Sequence, residues 1–324
     1  MDLLRGRRRT RREAVVDLAV RLGPVELPNP VVAASGTFGH AGELAAVCDP
    51  AELGAVTVKS LAPFPWPGNP PPRLHPVPAG MINSVGLQGP GVERWVSDEL
   101  PGLRATGARV IASVWGRTVD DFAAAVRLLA PARADLVAVE VNVSCPNVED
   151  RSEMFAHSPE ATGAAVAAAF AEAGDLPVLA KLSPNVRSLV DVARAAVDAG
   201  ATGLTLVNTV MGLAVDAERR RPALGAGGGG VSGPAIKPIA LRAVWETARA
   251  LPGIPIVGTG GVTSGLDAVE MLLAGATAIG VGTATFREPR AALRIREELR
   301  DWCARHAVAR VADLTGALEE DGPR

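Results

Sequence analysis

Cys145 is the residue whose type and neighbours most readily suggest chemistry. It follows Asn142 and Ser144 and precedes Pro146-Asn147, so the thiol sits among amide and hydroxyl groups. A thiol with a reference pKa of about 8.5 can act as a base near neutral pH if its surroundings favour the thiolate. Free cysteines are more often inert packing groups, and Cys48 and Cys303, in helix-like segments, are read that way. Lys59 and Lys181 each close an apolar run. A buried charge needs a partner; a carboxylate would serve, and so would an electron-rich ring that gains negative charge on reduction. Asn83, Asn142 and Asn208 offer neutral donors and acceptors suited to a planar, amide-rich ring such as a pyrimidine. Gly260-Gly261 and Gly282-Thr283 are small enough for backbone N–H groups to approach a phosphate, although tight turns use the same residues. Gly225, Gly227 and Gly230 satisfy GxGxxG, but no strand precedes them and no helix begins at the third glycine, so a dinucleotide site is rejected.

These residues become a site only if the chain brings them together. Short β-branched runs recur along it: Val31-Val32-Ala33, Val56-Thr57-Val58, Val110-Ile111-Ala112, Leu136 to Val143, Val178 to Leu182, Leu204 to Val207, Ile254 to Val257 and Ala278 to Val281. They are nearly continuous apolar runs, as expected of strands covered on both faces. Between them Thr118 to Leu129, Pro159 to Ala173, Arg187 to Ala199, Ile236 to Ala250 and Leu266 to Ala274 carry apolar residues at helical spacing. Gly174, Gly200 and Gly275 mark three helix ends. Such alternation predicts an α/β fold, a (β/α)8 barrel of the TIM type with insertions in its βα loops, over an open doubly wound sheet. In a barrel the site gathers at the C-terminal strand ends. Those ends read Ser35-Gly36-Thr37, Lys59-Ser60, Ser113, Asn142 to Cys145, Lys181-Leu182-Ser183, Asn208-Thr209, Gly258 to Gly261 and Gly282-Thr283.

Two stretches break the rhythm. Pro63 to Pro78 is proline-dense and predicts no regular structure; it leads into Met81 to Leu87. Gly225 to Gly233 follows the basic run Arg219 to Arg221. Both read as long insertions on the functional face. The chain of 324 residues accommodates one barrel of about 250 residues with such insertions. The expected division is a basic, disordered tail over 1–22, one barrel over 23–310 and a C-terminal tail over 311–324. Arg5, Arg7, Arg8, Arg9, Arg11 and Arg12 make the start basic, but Glu13 to Gly23 is no apolar signal core. A solvated tail is the plainer reading, an anionic-surface contact the other.

Composition removes several classes. Hydrophobic residues at 48% and charged residues at 21% describe a globular protein with a large core. A net charge of -2 gives no basic field for nucleic acid, and no apolar run approaches the roughly 20 residues that span a bilayer. Three scattered cysteines form neither a metal nor a cluster motif, which points to a reducing cytoplasm and to electrons carried by an organic cofactor or a partner.

The chain resembles the dihydroorotate dehydrogenase family in ASGTFG (Ala34 to Gly39), NSVGLQGPG (Asn83 to Gly91), NVSCPNV (Asn142 to Val148), KLSPN (Lys181 to Asn185), VNT (Val207 to Thr209), SGPAIKPIALR (Ser232 to Arg242), IVGTGGV (Ile256 to Val262) and GVGTA (Gly280 to Ala284). The resemblance implies an FMN-binding barrel that oxidises dihydroorotate to orotate in pyrimidine (UMP) biosynthesis. By position, Ser35, Lys59, Ser60, Ser113, Asn142, Lys181, Val207, Gly233, Gly260, Gly261, Gly282 and Thr283 would contact FMN. Ser113 stands where the family usually has asparagine. Lys59, Asn83, Ser84, Val85, Gly86, Leu87, Asn142, Asn208 and Thr209 would hold the substrate, and Cys145 would be the base. A cysteine base and no apolar N-terminal extension are similar to the soluble class 1. Met154-Phe155 resembles the NAD-linked type, which implies a partner subunit carrying FAD and a [2Fe–2S] cluster around a homodimeric core. A related flavin barrel acting on another dihydropyrimidine, a cysteine-nucleophile enzyme resembling inosinate dehydrogenase, and a non-catalytic barrel are the alternatives.

Overall fold

A computed structural model describes residues 16–143 and 154–319. Eight parallel strands close a barrel: β1 (Val31–Ala33), β2 (Ala55–Thr57), β3 (Val110–Val114), β4 (Leu136–Asn142), β5 (Val178–Leu182), β6 (Gly203–Leu206), β7 (Ile256–Thr259) and β8 (Ala278–Val281). They neighbour one another in chain order, and β8 returns to β1 through Ile279 opposite Val31 and Val281 opposite Ala33. This closure excludes the open sheet. Almost every strand residue is buried, which explains the continuous apolar runs: one face packs inside the barrel and the other under helices.

Four of the helices begin where short polar side chains satisfy their first N–H groups. Thr118 and Asp121 form a capping box ahead of α1 (Val119–Leu128). Ser158 caps α2 (Pro159–Ala173) and Ser188 caps α3 (Leu189–Asp198). α4 (Lys237–Ala250) starts behind the insertion, Ser264 caps α5 (Gly265–Leu273), and α6 (Ala291–Arg305) completes the ring. Among the described residues no helix is long and apolar enough to cross a membrane.

Three features differ from the sequence reading. The described part of the basic tail is built into the body: Val20–Leu22 pairs with Val25–Leu27, burying Leu22 and Leu27 across the N-terminal end of the barrel. Residues 311–318 also dock, with Val311 fully buried and the N–H groups of Gly316 and Leu318 bonded to the carbonyls of Leu272 and Leu273. Periodicity missed both because each anchors only two or three apolar side chains. Third, the proline-dense stretch contains a strand, Leu74–Val77, paired with Gly80–Asn83. It is the edge of a four-stranded antiparallel sheet continued by Gly229–Ser232 and Val210–Gly212. At an edge Pro76 needs no outward N–H. This sheet unites the two insertions over the C-terminal end of the barrel. Cys48 is buried as expected, but in a bend beside Asp49 rather than in a helix; Cys303 is buried in α6.

Candidate active site

A cleft of about 780 Å³ opens over the C-terminal strand ends. Ser35, Lys59, Ser60, Asn142, Lys181, Val207, Gly233, Gly260, Gly261, Gly282 and Thr283 line it, together with Asn83 to Leu87, Asn208 and Thr209. Residues from every quarter of the chain therefore converge. Cys145 lies outside the described residues. Ser113, expected as a cofactor contact, is fully buried beneath the floor: its short side chain turns away to Ser60 and Glu140.

One end of the cleft is cationic. Lys181 Nζ is 3.9 Å from Glu140 Oε1, and both side chains are almost wholly buried. The lysine thus has its carboxylate partner and still reaches the cleft. Glu140 was missed in the sequence. Its signal was a single acidic residue inside the apolar strand Leu136–Asn142. The Lys59 ammonium lies beside Gly36, where a methyl group would come within 3.3 Å of it. Ser60 Oγ receives a 2.9 Å hydrogen bond from the Asn142 amide and lies 2.9 Å from Ser113 Oγ.

The opposite end is built from backbone. Gly261 has φ +77°, and a Cβ there would lie 2.9 Å from Lys237 N, the start of α4. Gly282 and Thr283 precede a short helix, Ala284–Arg287, and Thr283 hydrogen-bonds Ser232 Oγ at 2.8 Å. Loops after the seventh and eighth strands with a short extra helix are where barrels receive phosphate. Lys237 Nζ straps this end by bonding Asp267 and Glu270, each at 2.7 Å. Asp267 also accepts from the N–H and hydroxyl of Thr263. Burial pushes its carboxyl up, but the bonds from Lys237 and Thr263 outweigh burial and hold it below the ordinary range.

Between the ends lie amides. Asn83 Nδ2 donates to the Gly230 carbonyl, and Asn208 Oδ1 accepts from the Thr209 N–H. Asn185 also lines the cleft; it donates to Ser183 Oγ and the Thr209 carbonyl and accepts from Met211 N–H, fixing the 208–211 turn. The 84–87 loop is held from behind by the proline-dense stretch: Asn69 bonds the Val85 and Ser84 carbonyls. Leu87 is buried with Trp115, against which Phe64 and Trp66 stack edge-on. Asn69, Phe64 and Trp66 of the proline-dense stretch therefore hold the rim that faces the cleft.

This convergence has counterparts. The family model described as dihydroorotate dehydrogenase matches residues 17–302. The catalytic subunit of dihydroorotate dehydrogenase B (NAD(+)) from Pelobacter propionicus is 44% identical, covering 94% of this chain and 99% of that protein. The corresponding subunit from Geobacter sulfurreducens is 45% identical over 94% and 98%. A putative dihydroorotate dehydrogenase A (fumarate) from Solibacter usitatus is 47% identical over 93% and 98%. With one family model spanning nearly the whole barrel and relatives aligned from end to end, the chain belongs to the dihydroorotate dehydrogenase family.

Proposed function

We propose that the chain uses FMN to oxidise dihydroorotate to orotate, with Cys145 as the base and an NAD-linked partner subunit as the electron outlet. Dihydroorotate oxidation in pyrimidine biosynthesis is the reaction of the family to which the chain belongs. The observation that carries the cofactor reading is the polarity of the cleft: a lysine at one end, close-approach glycines at the other and amides between. Its volume of about 780 Å³ suits a mononucleotide-sized ligand, since such clefts span roughly 300–1,000 Å³. A Cβ at Gly261 would collide with the start of α4, so only glycine lets this cleft-lining turn pack against that helix N-terminus. That fits a phosphate.

Bound FMN supplies the acceptor for the hydride that leaves C6 of the substrate. Lys181 would hold the pyrimidine side of the flavin and offset the negative charge it gains. Gly261, Gly282 and Thr283 would bind the phosphate through their N–H groups. Asn83, Asn208 and Thr209 would orient the substrate ring, with Lys59 offsetting its carboxylate. Cys145, three residues after Asn142, would accept the proton from C5. The sequence holds three cysteines, too few to bind an iron–sulfur cluster, so electrons bound for NAD would cross to a second subunit that carries FAD and a [2Fe–2S] cluster. Homologues named as catalytic subunits support that arrangement. We place it around a homodimer in the cytoplasm.

A second reading, fumarate as acceptor without a partner, draws on the 47% identical relative named for fumarate. Purification from the native host separates the two. The expected result is a yellow protein that bleaches with dihydroorotate under anaerobic conditions, co-elutes with an iron–sulfur subunit and reduces NAD. Turnover with fumarate by the isolated chain would select the second reading; a colourless protein that takes up no FMN would remove both.

A further inference from the structure

Below the cleft floor runs a chain of hydrogen bonds whose direction is fixed. Glu140 is 3% exposed and, as a carboxylate, can only accept. Its Oε1 takes the Ser113 hydroxyl at 3.0 Å and its Oε2 the Thr205 hydroxyl at 2.9 Å. A hydroxyl has one proton. Ser113 directs its one proton to Glu140, so across the 2.9 Å contact with Ser60 it accepts, and Ser60 donates. With its own proton committed, Ser60 Oγ accepts from Asn142 Nδ2 at 2.9 Å and, more weakly, from Ser35 at 3.4 Å. The Asn142 amide is thereby oriented with nitrogen toward the floor and oxygen away from it. Reversing that amide would set Oδ1 against an oxygen with no proton to offer.

We propose that Glu140 is a positioning residue. Through Ser113 and Ser60 it favours the Asn142 amide with its nitrogen on the floor, so that the oxygen on the other side can serve as an acceptor for an N–H of the bound heterocycle. The inference rests on the flavin and pyrimidine reading of the cleft. Ser113 is the link this chain supplies: one hydroxyl, donating below and accepting above, passes the polarity of the carboxylate upward by two residues. Neither Glu140 nor Ser113 lines the cleft, so they act only through Ser60 and Asn142. The same carboxylate lies 3.9 Å from Lys181 Nζ, and one buried group therefore organises both the amide and the cation.

The test is orotate titration of the flavin-loaded enzyme, followed by the flavin absorbance band, for wild type, Ser113→Ala, Ser113→Thr, Glu140→Met and the Ser113→Ala/Glu140→Met double variant. Ser113→Ala should keep its flavin yet bind orotate about tenfold more weakly, the scale of one misdirected hydrogen bond. Ser113→Thr, which keeps the hydroxyl, should stay within about twofold of wild type on the same scale. Glu140→Met should weaken orotate at least as much, and the double variant no more than the weaker-binding single variant, because both cut one chain. Should Glu140→Met not fold, the alanine–threonine pair alone decides. Wild-type affinity in Ser113→Ala, or additive losses in the double variant, overturns the relay while leaving the flavin reading intact. Wild-type protein that carries no flavin overturns that reading and the relay with it.

Discussion

Gly261→Ala isolates what the proposed phosphate end requires, because the protein contains its own control. At Gly261 φ is +77°, and an added Cβ would sit 2.7 Å from Lys237 Cβ and 2.9 Å from both Lys237 Cα and N. At Gly253 φ is +87°, but a Cβ would meet nothing within 4 Å. Alanine at either position incurs the left-handed backbone cost of about 1–2 kcal/mol. Only Gly261→Ala also collides, and with backbone that no rotamer change can move aside. Overpacking of this kind costs about 1–3 kcal/mol more. The start of α4 would have to shift by several tenths of an ångström, which on the proposed reading carries the 260–261 N–H groups off the phosphate. Loss of one charge-assisted hydrogen bond is worth about 1.5–3 kcal/mol, roughly ten- to a hundredfold in affinity. Apoprotein titrated with FMN, read by quenching of flavin fluorescence, should show that loss in Gly261→Ala and wild-type affinity in Gly253→Ala. Thermal melts should rank wild type above Gly253→Ala above Gly261→Ala. Equal FMN affinity in the two variants would refute the close-approach argument.

Two further predictions concern protons. Cys145→Ser should retain flavin while slowing its anaerobic reduction by dihydroorotate about 10²–10⁴-fold near neutral pH, the usual contribution of a general base; unchanged single-turnover reduction in a stopped-flow trace would place the base elsewhere. Asp267 is held below its ordinary range, since burial, which raises its pKa, is outweighed by the bonds from Lys237 and Thr263. A depressed folded-state value means stability present above the unfolded pKa of about 3.9 and lost as pH falls through the lower folded one. Asp267→Asn should therefore be less stable than wild type at pH 7 by about 1–3 kcal/mol, read by denaturant titration. That gap should close on acidification below pH about 4, and a gap that widens in acid would contradict the assignment.

Much of this architecture was legible in the residues because the signals were local. All eight barrel strands fell within three residues of their apolar runs, since strands buried on both faces have nowhere to place polar side chains. Pro159 to Ala173 was read to the residue from its apolar spacing and the Gly174 that ends it, and the structure adds Ser158 as the cap at its start. The wall of the cleft was legible for a different reason: in a barrel the strand ends are one place, so finding the strands finds the cleft they line. What could not be read depended on partners far away in the chain. Among the described residues Leu74–Val77 pairs only with Gly80–Asn83, which is itself held from its other side by the distant Gly229–Ser232, and local proline content argued the other way. Ser113 looked like a wall residue from strand position alone; which way its hydroxyl turns is decided by Glu140, 27 residues on.

Glu140 also bears on why a buried ion pair exists here at all. Stability does not call for one: desolvating two charges offsets most of their attraction, and well-packed apolar replacements are often neutral or stabilising. Removing one partner alone strands the other, at about 3–5 kcal/mol. Lys181→Met and Glu140→Met singly should each be destabilised by that order, given side-chain exposures of 9% and 4%. The double variant should recover most of the loss, because neither charge is then left unpaired. If function rather than stability retains the pair, that recovered protein will melt near wild type yet hold FMN and orotate poorly. Denaturant titration beside flavin content distinguishes the cases. A double variant that is folded, flavin-loaded and fully able to bind orotate would mean that the pair is scaffolding, and that the polarity of the cleft floor comes from somewhere else.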